Sequence, residues 1–167
     1  MTRKTALETL LENLRLDRLD RDLFLGDPGP GSGRLFGGHV AAQSVMAAGM
    51  TLASDAGTVH SLHAYFLKGG SHEMPIRFVV DRIRDGRTFS TRHVVAYQGG
   101  EAIFDLSASF ARPEDGVEHQ GTMPAAPGPE GLATHEEIRG EILEDSERRR
   151  RVTPIEIKVC DPDIPGE

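Results

Sequence analysis

The chain has 167 residues, enough for one domain of ordinary size and short for two. Hydrophobic residues make up 38% and charged residues 27%, a composition that folds, and the net charge of −7 argues against a nucleic acid backbone as the main partner. One cysteine excludes an internal disulfide framework and a cysteine-based zinc site. No apolar run approaches the ~20 residues needed to cross a bilayer. The start, MTRKTALETLLENLRL, carries acidic residues among its leucines, unlike a signal peptide. A soluble, cytoplasmic domain is expected.

Leu7, Leu10, Leu11 and Leu14 fall on one helical face, and Thr5 and Glu8 have capping-box spacing, so the chain should open with a helix. Leu19, Leu23 and Leu25 share parity, which predicts a strand running to about Leu25. Residues 26–33, GDPGPGSG, cannot be regular structure and read as a mobile surface loop. Residues 35–53, LFGGHVAAQSVMAAGMTLA, show no charged face, so they predict a helix buried all round. Four strands are expected at 59–67, 76–84, 88–97 and 101–110, with a type I′ turn at Asp85-Gly86 and a similar turn at Gly99-Gly100. In the last of these strands Phe104, Leu106, Ala108 and Phe110 alternate with polar residues, so one face is buried.

A strand, a long buried helix and four strands, mostly hairpin-linked, describe an α+β domain over residues 1–112. Its antiparallel sheet would wrap around the long central helix, which is the hot-dog arrangement. Residues 113–134 form a Pro/Gly-rich linker, and residues 135–167 should hold a charged helix (135–151) and a short apolar strand (152–160).

Few motifs carry chemistry. The stretch GPGSGR (29–34) lacks the Gly-Lys-Ser/Thr of a phosphate loop. His60 and His63, three apart on a strand, should face opposite sides and make a poor metal pair. Asp55 and His60 have the Asp-x4-His spacing of hot-dog hydratases without its Asn-Pro context, so the match reads as chance. Gly37-Gly38 at the start of the central helix either presents free amides to a developing oxyanion or marks a close approach between helix and strand. The basic run at 147–151 follows acidic residues on the same helix and reads as a solvated face, and Cys160 reads as a buried, inert thiol.

The blocks LFGGHVAAQSVMAA, VHSLHAYFLKGG, RDGRTFSTRHVVAYQGGEAIFDLSASF, GVEH and TMPAAP, in that order, resemble the N-terminal half of the acyl-CoA thioesterase II family. The resemblance runs over about residues 14–127 and weakly into TPIEIKV. Members of that family carry two fused hot-dog domains and hydrolyse fatty acyl-CoA to fatty acid and coenzyme A without metal or other cofactor. Their catalytic Asp, Thr (or Ser) and Gln belong to the second domain, so the resemblance implies that this chain holds none of them and stops where that domain begins. The isolated chain is then expected to be inactive or very weak.

Gly37, Gly38 and His39 match the family's Gly-Gly-Gln block, with His39 in place of the usual Gln. His60, Ser61, His63, Tyr65 and Phe66 match its Val-His-Ser-x-His-x-Tyr-Phe strand, and Asp85, Gly86, Phe89 and Ser90 its hairpin. Lys68-Gly69-Gly70 replaces the usual Arg-Pro-Gly. The resemblance implies that Gly37, Gly38, His39, Gln43 and Phe66 contact substrate and that His63 assists catalysis. It also implies acyl-CoA as ligand, and a homo-oligomer or a second hot-dog domain as partner, with neither nucleic acid nor membrane. Two alternatives stay open. One is a stand-alone homodimeric thioesterase using His39 or His63; the other is a non-catalytic acyl-CoA-binding or assembly subunit.

Overall fold

The computed structural model describes residues 4–135, 137–138 and 154–160. The chain divides into two compact units, Thr9–Asp115 and Met1–Glu8 with Gly116–Glu167.

Helix α1 (Ala6–Asn13) starts as its spacing requires. Glu8 Oε2 accepts bonds from the Thr5 amide (2.7 Å) and hydroxyl (3.0 Å), and the Glu8 amide donates to Thr5 Oγ1 (3.2 Å). Those bonds hold the Glu8 carboxyl below its ordinary pKa. Leu7 and Leu11 nevertheless stay exposed.

In the larger unit the strand expected up to Leu25 is a hairpin. Strands β1 (Asp17–Asp20) and β2 (Leu23–Gly26) pair antiparallel, because the chain turns at Arg21-Asp22. Phe24, not its leucine neighbours, faces the core and is fully buried. The loop that follows is anchored: His72 Nδ1 donates to the Gly29 carbonyl (3.1 Å), the Gly29 amide donates to Asp27 Oδ1 (2.7 Å), and Arg34 bridges Ser71.

Helix α2 (Gly37–Gly49) is shorter than the expected 35–53 and is buried on one side only. Val40, Gln43, Ser44, Ala47 and Ala48 face the sheet, while Gly38, Met46 and Met50 are exposed, so burial all round does not hold. The missing charged face reflects small residues along the open stripe and not a fully enclosed helix. Two arginines satisfy the carbonyls past its C-terminus: Arg18 donates to Met50 O and Arg92 to Thr51 O.

Strands β3 (Thr58–Phe66), β4 (Ile76–Asp85), β5 (Phe89–Gln98) and β6 (Glu101–Ala111) complete one six-stranded antiparallel sheet in the order β1-β2-β4-β5-β6-β3. β3 therefore lies at an edge beside β6, and only β4–β5 and β5–β6 are hairpins among the last four strands. Gly99 and Gly100, both at positive φ (57° and 88°), form the two-residue turn expected there. The type I′ turn at Asp85-Gly86 is absent. No non-glycine residue described has positive φ, β4 runs through Asp85, and the Gly86 amide closes the turn on Phe89 O at 2.9 Å. Arg92 holds Arg84 O and the Asp85 carboxylate, which keeps the strand extended to that point.

The inner face of the sheet packs on α2 through Phe24, Ile76, Phe78, Val80, Val94, Ala96, Phe104, Leu106, Ala108 and Phe110, the last four as the alternation required. At about 1.5–3 kcal/mol per large apolar side chain, this layer dominates the driving force.

The expected linker is exposed and carries no helix or strand over residues 113–131, of which 116–131 belong to the other unit. Thr134 and Glu137 form a second capping box, at the start of the expected charged helix. Most of that helix, with the basic run, lies outside the described residues. The strand expected at 152–160 is one isolated bridge, Thr134↔Lys158, among the described residues, and Cys160 is exposed, not buried.

Candidate functional site

The site builds from the two ends of α2. Its N-terminus carries no side-chain cap and no acidic residue in the first turn, so the Gly37 and Gly38 amides lie among the unpaired donors of a helix start. Aromatic rings cover both glycines. A Cβ on Gly37 would sit 2.6 Å from Phe66 Cε1, and one on Gly38 would sit 2.5 Å from Phe36 Cε1. Glycine is thus required by close approach, the two rings taking the space a side chain would fill. Phe66 stacks tilted on buried Phe104, with ring centroids 4.9 Å apart, yet is 64% exposed, and Phe36 is 75% exposed. An open apolar rim flanks the helix start.

One turn on, His39 and Gln43 meet at one acceptor. His39 Nε2 lies 3.0 Å and Gln43 Nε2 2.9 Å from the Asp27 carbonyl; a carbonyl only accepts, so His39 donates from Nε2. Gln43 also donates to Asn13 O at 2.5 Å, tying the end of α1 and the exit of β2 to the central helix. Its Oε1 is the buried side-chain atom left without a partner among the described residues. Gly37, Gly38, His39 and Phe66 therefore converge on the helix start, whereas Gln43 points inward and is fully buried.

His63 lies elsewhere. The β3–β6 register passes from Val59↔Phe110 to Ser61↔Ser109, which makes His60 the extra residue of a bulge. His63 opposes Ser107, while Leu62 and Ala64 oppose the buried Ala108 and Leu106, so His63 occupies the outer face. The bulge brings His60 to that face too: its Nε2 lies 2.9 Å from Ser109 Oγ and its ring packs on Phe89. The expected opposite facing of the two histidines is overturned by one inserted residue. Asp55 pairs with Arg112 and not with His60, so the hydratase spacing brings nothing together. His93 joins the outer row, 2.8 Å from Asp105. No group of three or more His, Cys, Asp or Glu among the described residues is arranged to hold a metal.

At the other end of α2 the sequence reading missed Arg92, which is 1% exposed. It donates from Nε to Thr51 Oγ1 (2.7 Å) and from its other nitrogens to Arg84 O (2.9 Å), Thr91 O (3.0 Å) and the Asp85 carboxylate. The signal was present: Arg92 shares parity with Ser90, Val94 and Ala96 on the inward face of β5. A cleft of about 390 Å³ also opens among Arg15, Asp17, Asp27, His72 and Glu73, and the helix-start residues do not line it.

An antiparallel sheet wrapped on one helix, whose start carries no side-chain cap, defines a hot-dog domain. The family model for the acyl-CoA thioesterase N-terminal domain matches residues 26–111, and the chain belongs to that family. It is 39% identical over 163 residues to acyl-coenzyme A thioesterase 8 of Mus musculus, covering 89% of this chain and 51% of that protein. It is 42% identical over 125 residues to acyl-CoA thioesterase 2 of Haemophilus influenzae, covering 74% of this chain and 43% of that protein. The crystal structure of an acyl-CoA thioesterase II, TesB2, from Mycobacterium marinum superposes with a TM-score of 0.64 at 44% identity, over 72% of this chain and 44% of that one. The chain thus spans about half the length of the curated relatives it matches.

Proposed function

We propose that this chain supplies the N-terminal hot-dog half of an acyl-CoA thioesterase, which hydrolyses fatty acyl-CoA to fatty acid and coenzyme A. The observation that carries the reading is the uncapped start of α2 beside the exposed Phe36 and Phe66, in a chain of this family. The apolar rim suits an acyl chain, and the Gly37 and Gly38 amides suit the thioester oxygen as it gains charge. Water attacks the carbonyl carbon, the C–S bond breaks, and the departing thiolate takes a proton. The first turn of α2 offers no carboxylate to activate that water, and in this reading a second hot-dog domain supplies the base.

The edge strand supports such a partner. β3 contains no Lys, Arg, Asp, Glu or Pro, and eight of its nine residues are exposed. Edges that stay unpaired usually carry such guards. Fatty acid metabolism as the setting and a cytoplasmic location belong to the same reading, the latter supported by a lone free cysteine.

A homodimer with its own site is the second reading, favoured by His39 in the first turn of α2, its ring held by the Asp27 carbonyl. His63, on the outer face, serves it less well. Thiol release from a medium-chain acyl-CoA by the chain alone, by the chain with a complementary C-terminal half, and by His39→Ala separates the two. Activity only in the mixture supports the first reading; activity of the chain alone that His39→Ala abolishes supports the second.

A further inference from the structure

Beyond the acyl end of the site, the structure points to a place for the charged end of the ligand. Residues 34–35 and 70–71 are zipped together: Arg34 bridges Ser71, and the Leu35 amide donates to Gly70 O at 2.8 Å. This zip fixes two chain segments that both leave the helix-start rim, one three residues before Gly37 and the other just after Phe66. It lays the Arg34 side chain over Gly69, with Nε 2.9 Å from where a Cβ on Gly69 would sit. Only glycine leaves that seat open, and the motif resembled by this stretch has proline there.

The two cations of this rim differ. Lys68 is already paired with Glu101. The Arg34 side chain is exposed and makes no hydrogen bond or ion pair among the described residues, so its charge is free. On a chain of net charge −7, a polyanion is repelled by most of the surface and settles where a cation is available. Guanidinium offers the forked donors that match phosphate oxygens, and a side chain already laid on the backbone loses less freedom on binding than a waving one. Arg34 lies at most about 10 Å of chain from Gly37, a span the pantetheine arm of coenzyme A covers.

We propose that Arg34, seated on Gly69, binds the phosphate groups of the coenzyme A moiety and so selects coenzyme A thioesters over thioesters that lack phosphate. The proposal rests on the acyl-CoA reading above. Calorimetric titration of the purified chain with coenzyme A, dephospho-coenzyme A and pantetheine tests it, using Arg34→Gln, Gly69→Ala and, as a control cation on the distant β4–β5 turn, Arg87→Gln. Arg34→Gln should weaken coenzyme A about tenfold and leave pantetheine unchanged. Gly69→Ala should weaken coenzyme A in the same direction with no further loss in the double variant, and Arg87→Gln should match the parent. Retained dephospho-coenzyme A affinity assigns Arg34 to the 3′-phosphate; a loss shared by both ligands in Arg34→Gln assigns it to the diphosphate. Coenzyme A binding that Arg34→Gln leaves within twofold overturns this proposal and spares the acyl-CoA reading. A parent chain that binds neither coenzyme A nor pantetheine overturns both.

Discussion

Replacing Arg92 by methionine keeps most of the stem volume and removes every donor that joins the end of α2 to the β4–β5 hairpin. The carbonyls of Arg84, Thr91 and Thr51 lose their Arg92 donor and the Thr51 hydroxyl keeps only its bond to Ala48 O, while the Asp85 carboxylate is 59% exposed and rehydrates. The loss therefore comes mainly from orphaned groups around a buried site and little from the ion pair. At roughly 1 kcal/mol for each main-chain acceptor, the cost is about 3 kcal/mol. That is a large share of a net stability of about 5–15 kcal/mol. At about 2–4 °C per kcal/mol for a chain of this size, the midpoint should fall by about 10 °C. Urea unfolding followed by far-ultraviolet circular dichroism reads the difference, with Asp85→Asn as companion at under about 1 kcal/mol. An Arg92→Met midpoint indistinguishable from the parent, or an Asp85→Asn loss as large as that of Arg92→Met, would refute this account of how α2 is held.

Gln43→Leu removes the donor to Asn13 O and one of the two donors to Asp27 O, which His39 still holds; it should cost about 1 kcal/mol and speed amide exchange around the end of α1. Glu8 and Glu137, whose carboxyls are held low by the Thr5 and Thr134 hydrogen bonds, should titrate below an ordinary glutamate in carboxyl-detected NMR. Because the folded values are lowered, both caps contribute at neutral pH and are lost as pH falls through those values; Thr5→Val, which removes the hydroxyl bond and keeps the amide one, should move Glu8 only part of the way back toward its ordinary value. Leu62→Lys, which puts a charge on the exposed edge strand, should abolish association with a partner sheet while leaving the thermal midpoint of the free chain nearly unchanged, as read by analytical ultracentrifugation and thermal melts.

Where local pattern and packing agreed, the fold was legible: the Thr5–Glu8 cap, the Gly99-Gly100 turn and the alternation of Phe104 to Phe110 stand as read. The departures come from long-range contacts. Phe24 wins the inward position over Leu23 and Leu25 because β2 pairs with β4, where Phe24 opposes the buried Phe78. Asp85 stays in its strand because Arg92, seven residues on, holds it, and periodicity alone gives no sign of that bond. One bulge at His60 reverses every parity upstream of Ser61, and no residue in TVHSLHAYF announces a bulge. At the site, the glycine pair and Phe66 could be read from a motif. The shared acceptor of His39 and Gln43 could not, since Asp27 lies 12 residues before His39 and its backbone, not its side chain, makes the contact.

In the proposed enzyme a second hot-dog domain brings the catalytic base to the start of α2. The most direct measurement is thiol release from a medium-chain acyl-CoA at fixed chain concentration while a complementary C-terminal half is added. The prediction is negligible release at zero addition, rising to a plateau at one half per chain and suppressed by Leu62→Lys. Full release by this chain alone, unchanged by the added half, would contradict it.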